Sequence, residues 1–373
     1  MGAQPPSGAR ELAFPYMLFA RTQGMAAPFP LTQSGMTPPD AALLGEPELP
    51  DLGFAGAEAL PSLQRRLAER FGVAAERVVV TLGASGAMHA LALAWFRPGV
   101  RVASEVPSYE PLRALPRLLG ADARLVRRSL DSGWRIDPAE VRRELAGAGS
   151  GHVFLTNPHN PSGALLGAEE LRELAAEAER AGGVLISNEI YMEYAPAEQR
   201  VHAFRLAPNA VSIGSLTKAY GLGALRIGWL VLGEGLARER LAIEDTLWLA
   251  WVDPPTPALR LALRALDHMV ELRARLERLE RESKPPFVDW LAAAEDLEGT
   301  APDHGLIAFP RVREVGDTRA LARHLAREHG VGVVPGEFFG APGHLRLGFG
   351  LPPERLLEAL ERLQQGLRSF RKA

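Results

Sequence analysis

Short apolar runs alternate with helical patterns from Glu58 to Gly233. The strand-like runs are Arg77–Leu82, Val100–Ser104, Ala123–Arg127, His152–Thr156, Val184–Ser187, Ala210–Gly214 and Ile227–Leu232. Helical patterns such as Ala87–Phe96 and Ala168–Ala181 lie between most of these runs. Strands that alternate with helices build a largely parallel sheet covered by helices. The alternation therefore predicts an α/β layer structure that binds its ligand beyond the carboxyl ends of the strands.

The pattern changes at a proline-rich break, Pro254 to Pro257. An amphipathic stretch from Ala258 to Ser283 follows, and it predicts a connecting helix because it is too short and irregular for a coiled coil. The remainder mixes helices with short strands, as in a smaller α+β domain, and the strands are expected near Leu306–Phe309, Val331–Val334 and His344–Phe349. We predict a large domain at residues 51–256. Residues 1–50 and 257–373 form a small domain with an N-terminal arm.

The composition limits the compartment and the partners. A chain of 373 residues with 47% hydrophobic and 23% charged residues lies in the range of soluble globular proteins. No apolar run reaches the roughly 18 residues of a spanning helix, and no signal peptide is recognisable, so we expect a cytoplasmic protein without a membrane partner. The net charge of −3 does not favour nucleic-acid binding. The absence of cysteine excludes disulfides, thiolate metal sites and a cysteine nucleophile, and we expect no metal.

Lysine is rare in this chain, since only Lys218, Lys284 and Lys372 occur among 42 basic residues. Lys284 ends a charged helical stretch, and Lys372 is next to the C-terminus. Lys218 lies between two apolar segments, where an unneeded charge is costly. An amine there suggests chemistry that a guanidinium cannot perform, and a Schiff base is the leading candidate. The alternative is a partly buried structural lysine.

Four segments place small or polar residues at strand ends; they are Thr81–Ala87, Thr156–Gly163, Ser187–Tyr191 and Ser215–Trp229. The first runs through glycine and alanine into a helix, whose free amides bind phosphate. In the second, prolines and asparagines favour a rigid polar loop. In the fourth, Ser215 and Arg226 are suited to hold a phosphate dianion while Lys218 forms an imine. Each segment alone is also compatible with an ordinary turn.

Other motifs fail. Ser215-Leu-Thr-Lys218 fits the Ser-x-x-Lys of serine β-lactamases, but the chain has no Lys-Thr-Gly triplet. Gly221 to Arg226 begins like a dinucleotide loop and has arginine where the third glycine belongs. Gly83 to Ala87 misses the nucleophile elbow by its last residue.

In this order and spacing, the four segments resemble fold-type I pyridoxal-phosphate (PLP) enzymes of the class I/II aminotransferase family. The resemblance covers Phe54 to Trp229, with a further point at Arg346. It implies an aspartate-aminotransferase-like fold, in which helices sandwich the mostly parallel sheet of a large PLP-binding domain beside a smaller α+β domain. The implied activity is transfer of an amino group from an L-amino acid to a 2-oxo acid. A homodimer with the site at its interface is also implied.

The resemblance also implies roles for individual residues. Lys218 corresponds to the Schiff-base lysine, which also moves the substrate proton. The phosphate ligands are expected to be Ala84, Ser85, Ser215 and Arg226. Tyr109 corresponds to the aromatic residue that stacks on the cofactor ring, and the pair that hydrogen-bonds the phenolic oxygen is Asn160 and Tyr191. Arg346 corresponds to the arginine that binds the substrate α-carboxylate, although a surface strand arginine is the alternative.

Two segments depart from the family pattern. Asn188 stands where the family has an aspartate that keeps the pyridine nitrogen protonated. A neutral amide cannot raise the pKa of that nitrogen by charge, so we expect a weaker electron sink. Phe54 stands where a tyrosine would reach the partner subunit's cofactor, and Ala59 replaces a glycine. The loss of one hydrogen bond to a charged group costs roughly 1–3 kcal/mol and predicts lower cofactor affinity.

These departures leave two alternatives open. The first is a PLP-dependent lyase or decarboxylase on the same fold. The second is a catalytically weakened PLP-binding protein that serves as a scaffold or regulator.

Residues 247–256 are expected to border the pocket, and Trp248 and Trp251 suggest an apolar or aromatic substrate.

Overall fold

The computed structural model describes residues 14–22, 27–45 and 58–371. Its helices, in chain order, are α1 Pro15–Thr22, α2 Ala59–Phe71, α3 Gly83–Trp95, α4 Glu110–Leu118, α5 Pro138–Leu145, α6 Ala168–Arg180, α7 Ala203–Leu206, α8 Arg240–Trp251, α9 Thr256–Asp267, α10 Met269–Glu282, α11 Lys284–Ala293, α12 Thr318–Glu328 and α13 Pro353–Phe370. Its strands are β1 Phe29–Pro30, β2 Val78–Leu82, β3 Arg101–Val106, β4 Asp122–Arg127, β5 Gly151–Thr156, β6 Leu185–Asn188, β7 Ala210–Ser215, β8 Ile227–Leu232, β9 Leu297–Glu298, β10 Ile307–Ala308, β11 Arg311–Val312, β12 Val331–Gly332, β13 Val334–Pro335 and β14 Leu345–Gly348.

The strand-like runs predicted between Arg77 and Leu232 form one sheet of seven strands, in the order β2-β8-β7-β6-β5-β3-β4. Strand β8 runs in the opposite direction to the other six strands. Strands β5 and β8 are buried along their whole length because helices cover both faces of the sheet. The predicted α/β class with a mostly parallel sheet is therefore confirmed.

The strand directions bring several sequence segments to one edge of this sheet. Strands β5, β6 and β7 are parallel, so their carboxyl ends, Thr156, Asn188 and Ser215, meet there. Strand β2 is antiparallel to β8, which is itself antiparallel to β7, so Leu82 ends at the same edge. Because β8 runs the opposite way, its amino end, next to Arg226, lies there too.

The predicted connecting helix over Ala258–Ser283 is wrong in one respect, because the chain breaks it at His268. The backbone of His268 leaves the helical region with φ −106° and ψ 26°. The break has a packing reason, since it lets each half turn its own apolar face to the core. Helix α9 buries Leu259 and Ala262, and α10 buries Leu272 and Leu276.

The C-terminal part contains short strand pairs, as predicted, and the N-terminal segment joins it. Strand β14 pairs with β10 and β13 on its two sides. The parallel pair of β1 with β12 places Phe29 opposite Val331. The domain limits at residues 50 and 256 stay a prediction. In the described ranges, none of the helices combines the length and the apolar character needed to span a membrane.

Candidate active site

A cavity of about 210 Å³ lies at the edge of the sheet where the strand ends meet. Its lining includes every predicted site residue except Arg346, namely Ala84, Ser85, Tyr109, Asn160, Asn188, Tyr191, Ser215, Lys218 and Arg226. A second cavity, of about 650 Å³, is lined by Arg346 and shares Lys218 with the first. Folding thus brings together side chains that lie far apart in the sequence.

One end of the first cavity combines a helix N-terminus with a cation. Helix α3 begins at Gly83, whose φ is +66°, and a β-carbon on that glycine would lie 3.0 Å from Nη2 of Arg226. Ala84 and Ser85 form the first turn of this helix. Arg226 itself has a left-handed φ of +54°. Free helix amides beside a guanidinium form a site for an anionic group such as a phosphate.

The Lys218 side chain is half-buried and lines both cavities. Its Nζ donates a hydrogen bond of 3.1 Å to Oγ of Ser34. Burial lowers the pKa of Lys218, and nearby Arg346 and Arg226 act in the same direction against the opposing effect of Tyr16. An amine with a lowered pKa is available as a nucleophile and as a proton acceptor.

Asn188 ends β6 and is buried, with 1% of its surface exposed. Its Nδ2 lies 3.8 Å from Sδ of Met88, whereas its Oδ1 has no hydrogen-bond partner among the described residues. A buried acceptor without a partner is uncommon and is explained by a ligand that donates to it. Tyr191 lies on the same wall, and burial raises the pKa of its hydroxyl.

Arg346 is fully buried on β14, so the alternative of a surface arginine is wrong. Its Nη2 donates to the carbonyl of Thr32 at 2.8 Å and its Nη1 to Oδ1 of Asn160 at 3.2 Å. The guanidinium lies over the ring of Phe339, 5.1 Å from its centroid. Its Nε has no hydrogen-bond partner among the described residues. A buried cation of this kind favours an anionic ligand such as a carboxylate.

Several residues that line this cavity were not predicted from the sequence, and three of them, Tyr16, Met17 and Ser34, come from the N-terminal segment. The ring of Tyr16 meets that of Tyr109 edge to face with centroids 5.6 Å apart, and the Tyr109 hydroxyl donates to Sδ of Met17. The Glu110 carboxylate accepts hydrogen bonds from the amides of Tyr16 and Met17 and so fixes α1 here. These residues lie in a segment without periodicity, which explains why they were missed.

Other predicted residues lie elsewhere. Residues 247–256 form the end of α8 and the turn after it, and none of them lines either cavity around Lys218. Trp248 is 66% exposed, and Trp251 packs beside Gly86 of α3. The expectation that these residues border the pocket is therefore wrong within this chain. Ala59 begins α2, and Phe54 lies outside the described residues.

A half-buried amine beside an anion site, at the carboxyl edge of a mostly parallel sheet, is the arrangement of an enzyme that bonds a phosphate-bearing aldehyde. The comparisons with known proteins agree. The family model "Aminotransferase class I and II" matches residues 49–363, so the chain belongs to that family. The predicted family, fold class, enzyme class and PLP cofactor are thereby confirmed.

The relatives of this chain include one that is named a synthase and one that is named a transaminase. The chain is 32% identical to capreomycidine synthase of Streptomyces vinaceus, over 88% of this chain and 85% of that protein. It is 30% identical to arginine–pyruvate transaminase of Pseudomonas aeruginosa, over 90% and 86%. Among solved structures, the aspartate aminotransferase of Thermus thermophilus with maleate is 27% identical, with a TM-score of 0.72 over 86% of this chain and 90% of that one.

Proposed function

We propose that this chain is a PLP-dependent aminotransferase that moves an amino group from an L-amino acid to a 2-oxo acid. The observation that carries the proposal is the half-buried Lys218 amine, which lines one cavity with Arg226 and Asn188. When bound, PLP supplies an aldehyde that bonds to amines and a ring that withdraws electrons from the substrate Cα. The chain's own residues bind that group, orient the substrate and move the proton.

The residues around the cavity fit the parts of this cofactor. Arg226, Ser215 and the first turn of α3, at Ala84 and Ser85, would hold the phosphate. Tyr109 would cover the ring, and Asn160 and Tyr191 would bind its phenolic oxygen. Asn188 would accept a hydrogen bond from the ring nitrogen through its Oδ1, which has no partner among the described residues.

Arg346 and Lys218 would act on the substrate. The buried guanidinium of Arg346, steadied by Asn160 and by the Thr32 carbonyl, would hold the α-carboxylate. That contact orients the substrate so that its Cα proton faces the amine. Nζ of Lys218 would then take the proton from the substrate Cα and deliver it to the cofactor's aldehyde carbon.

Asn188 bears on the outcome of the reaction. Without a negative charge, its amide stabilises a protonated ring nitrogen less than a carboxylate does, so the electron sink is weaker. We therefore keep two alternatives, a PLP-dependent lyase or decarboxylase and a catalytically weakened PLP-binding protein. The first draws support from the relative that is named a synthase rather than an aminotransferase.

An absorption spectrum with added PLP, recorded before and after a panel of amino acids, tests the proposal. We expect a cofactor band that is absent in Lys218→Ala and that converts to pyridoxamine phosphate with at least one amino acid. Product without pyridoxamine phosphate would favour the lyase or decarboxylase. If no band forms at saturating PLP, the proposed function is wrong.

We also propose a homodimer in the cytoplasm. Helix α8 exposes apolar side chains, among them Leu241, Trp248 and Leu249, and Leu249 is 91% exposed. An exposed apolar patch on a helix is typical of a protein interface. A second copy of the chain would cover it. The cytoplasmic location stays a prediction from the sequence.

A further inference from the structure

We propose that Ser34 is a positioning residue for the reaction, whose hydroxyl holds the Lys218 amine in both of its protonation states. The inference rests on the proposed function, because it assigns Lys218 a proton-transfer role. The contact that carries it is the hydrogen bond of 3.1 Å from Nζ of Lys218 to Oγ of Ser34. No other hydrogen bond or ion pair joins this amine to the part of the chain that the structure describes.

The backbone fixes Ser34 on both sides. Before it, the carbonyl of Thr32 accepts from Nη2 of Arg346 at 2.8 Å. After it, the amide of Met36 donates to the carbonyl of Lys218 at 2.8 Å. Gly35 packs so closely that a β-carbon there would lie 3.1 Å from Cα and Cδ of Lys218. The hydroxyl is therefore held against the lysine by contacts that do not involve the hydroxyl itself.

A hydroxyl is the appropriate partner for an amine that must lose and regain a proton. It accepts a hydrogen bond from the ammonium form, and it can donate one to the neutral form. A carboxylate in this place would raise the pKa of the amine and keep it protonated. An alanine would leave the amine without a protein partner. Serine thus allows Lys218 to act both as a base and as an acid from one position.

The surroundings of the amine make this partner necessary. Arg346 and Arg226 are the cations that lower its pKa, and Tyr16, Tyr109 and Tyr191 line the same cavity as the amine. Burial and the two arginines lower the pKa of Lys218, so the ammonium form is less stable here than it is for a lysine in water. Ser34 is itself buried, with 8% of its surface exposed, and its hydroxyl is the neutral acceptor in contact with the amine.

The small number of lysines allows a direct test. In full-length protein labelled with ¹³C at lysine Cε, only Lys218, Lys284 and Lys372 give resonances, and Lys218→Ala identifies the first by its loss. Titration of that resonance in the cofactor-free chain reports the pKa of the amine. Because a hydrogen bond from an ionised donor is about twice as strong as a neutral one, we expect Ser34→Ala to lower the midpoint by about one pKa unit.

Matched variants separate the hydroxyl from the shape of the site. Ser34→Thr keeps the hydroxyl and should keep the midpoint of the parent protein. Ser34→Gly removes the hydroxyl without placing a methyl group there and should behave like Ser34→Ala. Ser150 precedes β5, at the end of that strand away from the site. Ser150→Ala removes a serine hydroxyl there and should leave the Lys218 midpoint unchanged.

Two results would overturn the proposal. One is a midpoint in Ser34→Ala and Ser34→Gly that equals or exceeds that of the parent protein. The other is a fall of the Lys218 midpoint in Ser34→Thr as large as that in Ser34→Ala. That result would assign the effect to the shape of the side chain rather than to its hydroxyl. The titration needs no cofactor, so a failure to bind PLP would contradict the proposed function while the Ser34 contact is still tested.

Discussion

Nη1 of Arg346 donates a hydrogen bond to Oδ1 of Asn160 at 3.2 Å, although the two residues are 186 positions apart in the sequence. Arg346 lies on β14 of the C-terminal part, and Asn160 lies in the loop that follows β5 of the central sheet. This contact joins the proposed carboxylate ligand to the proposed cofactor ligand. The position of the substrate therefore depends on how the two parts of the chain pack.

Arg346→Lys tests the proposed carboxylate contact. Lysine keeps the charge but cannot bind a carboxylate and Asn160 with a planar fork. The loss of one charge-assisted hydrogen bond corresponds to a KM for the amino acid about 10- to 100-fold higher, measured by steady-state kinetics. Arg362→Lys, in the exposed pair with Glu358, is the control and should leave KM unchanged. An unchanged KM in Arg346→Lys would exclude this arginine as the carboxylate ligand.

Asn188→Asp tests the weaker electron sink. A carboxylate beside the ring nitrogen should raise the nitrogen's pKa, change the pH dependence of the bound cofactor's spectrum and speed transamination. In the cofactor-free protein the same change buries a carboxylate and should lower Tm. We therefore expect PLP to raise Tm more in the variant than in the parent, by thermal unfolding with and without PLP. Identical spectra and rates would show that Asn188 does not face the ring nitrogen.

The buried ion pair of Glu105 with Arg128 supports the loop that carries Asn160. The two side chains are fully buried and 2.7 Å apart, and Glu105 accepts a hydrogen bond of 2.8 Å from the amide of Thr156. Glu105→Gln leaves the buried Arg128 without its negatively charged partner and should reduce the free energy of unfolding by about 3–5 kcal/mol, measured in urea.

A matched control for this prediction is Glu358→Gln, which breaks the exposed pair with Arg362. It should cost less than about 1 kcal/mol. Equal effects of the two glutamine variants would contradict the idea that burial makes the Glu105–Arg128 pair costly to break.

His202 should make stability depend on pH. Burial disfavours its charged form, but Glu189, which accepts from Nδ1 at 2.6 Å, outweighs burial and raises the His202 pKa above 6.5. The stabilisation is then complete below the unfolded pKa of 6.5 and is lost as the pH rises through the folded pKa. His202→Asn should remove this pH-dependent loss of stability. The measurement is the free energy of unfolding in urea, compared at about pH 6 and about pH 9. His268→Asn, at an exposed histidine, should retain it.

Leu249→Glu tests the proposed dimer surface on α8. A charge in the centre of an apolar interface should lower the sedimentation mass from that of two chains to that of one. Val270→Glu changes another exposed apolar residue, on α10, and should leave the mass unchanged. If Leu249→Glu sediments like the parent dimer, a different surface joins the subunits.

The sequence predicted the sheet well because period and strand length are local properties. The run at Ile227–Leu232 matches β8 to the residue, and those at Ala123–Arg127 and His152–Thr156 differ from β4 and β5 by one residue. The break at His268 was missed because the amphipathic pattern continues across it, and the break depends on how each half packs against the shared core.

The sequence by itself determined the class of fold and most of the candidate site. Lysine scarcity and the strand-end segment Ser215–Trp229 led to Lys218 and Arg226, and the family resemblance of the four segments led to Asn160 and Asn188. A parallel sheet brings such strand ends to one edge. Only the tertiary structure decided that Ser34 contacts the Lys218 amine and that Tyr16 meets Tyr109. These contacts join an aperiodic N-terminal segment to distant loops, and such pairings depend on side-chain packing that no local pattern encodes.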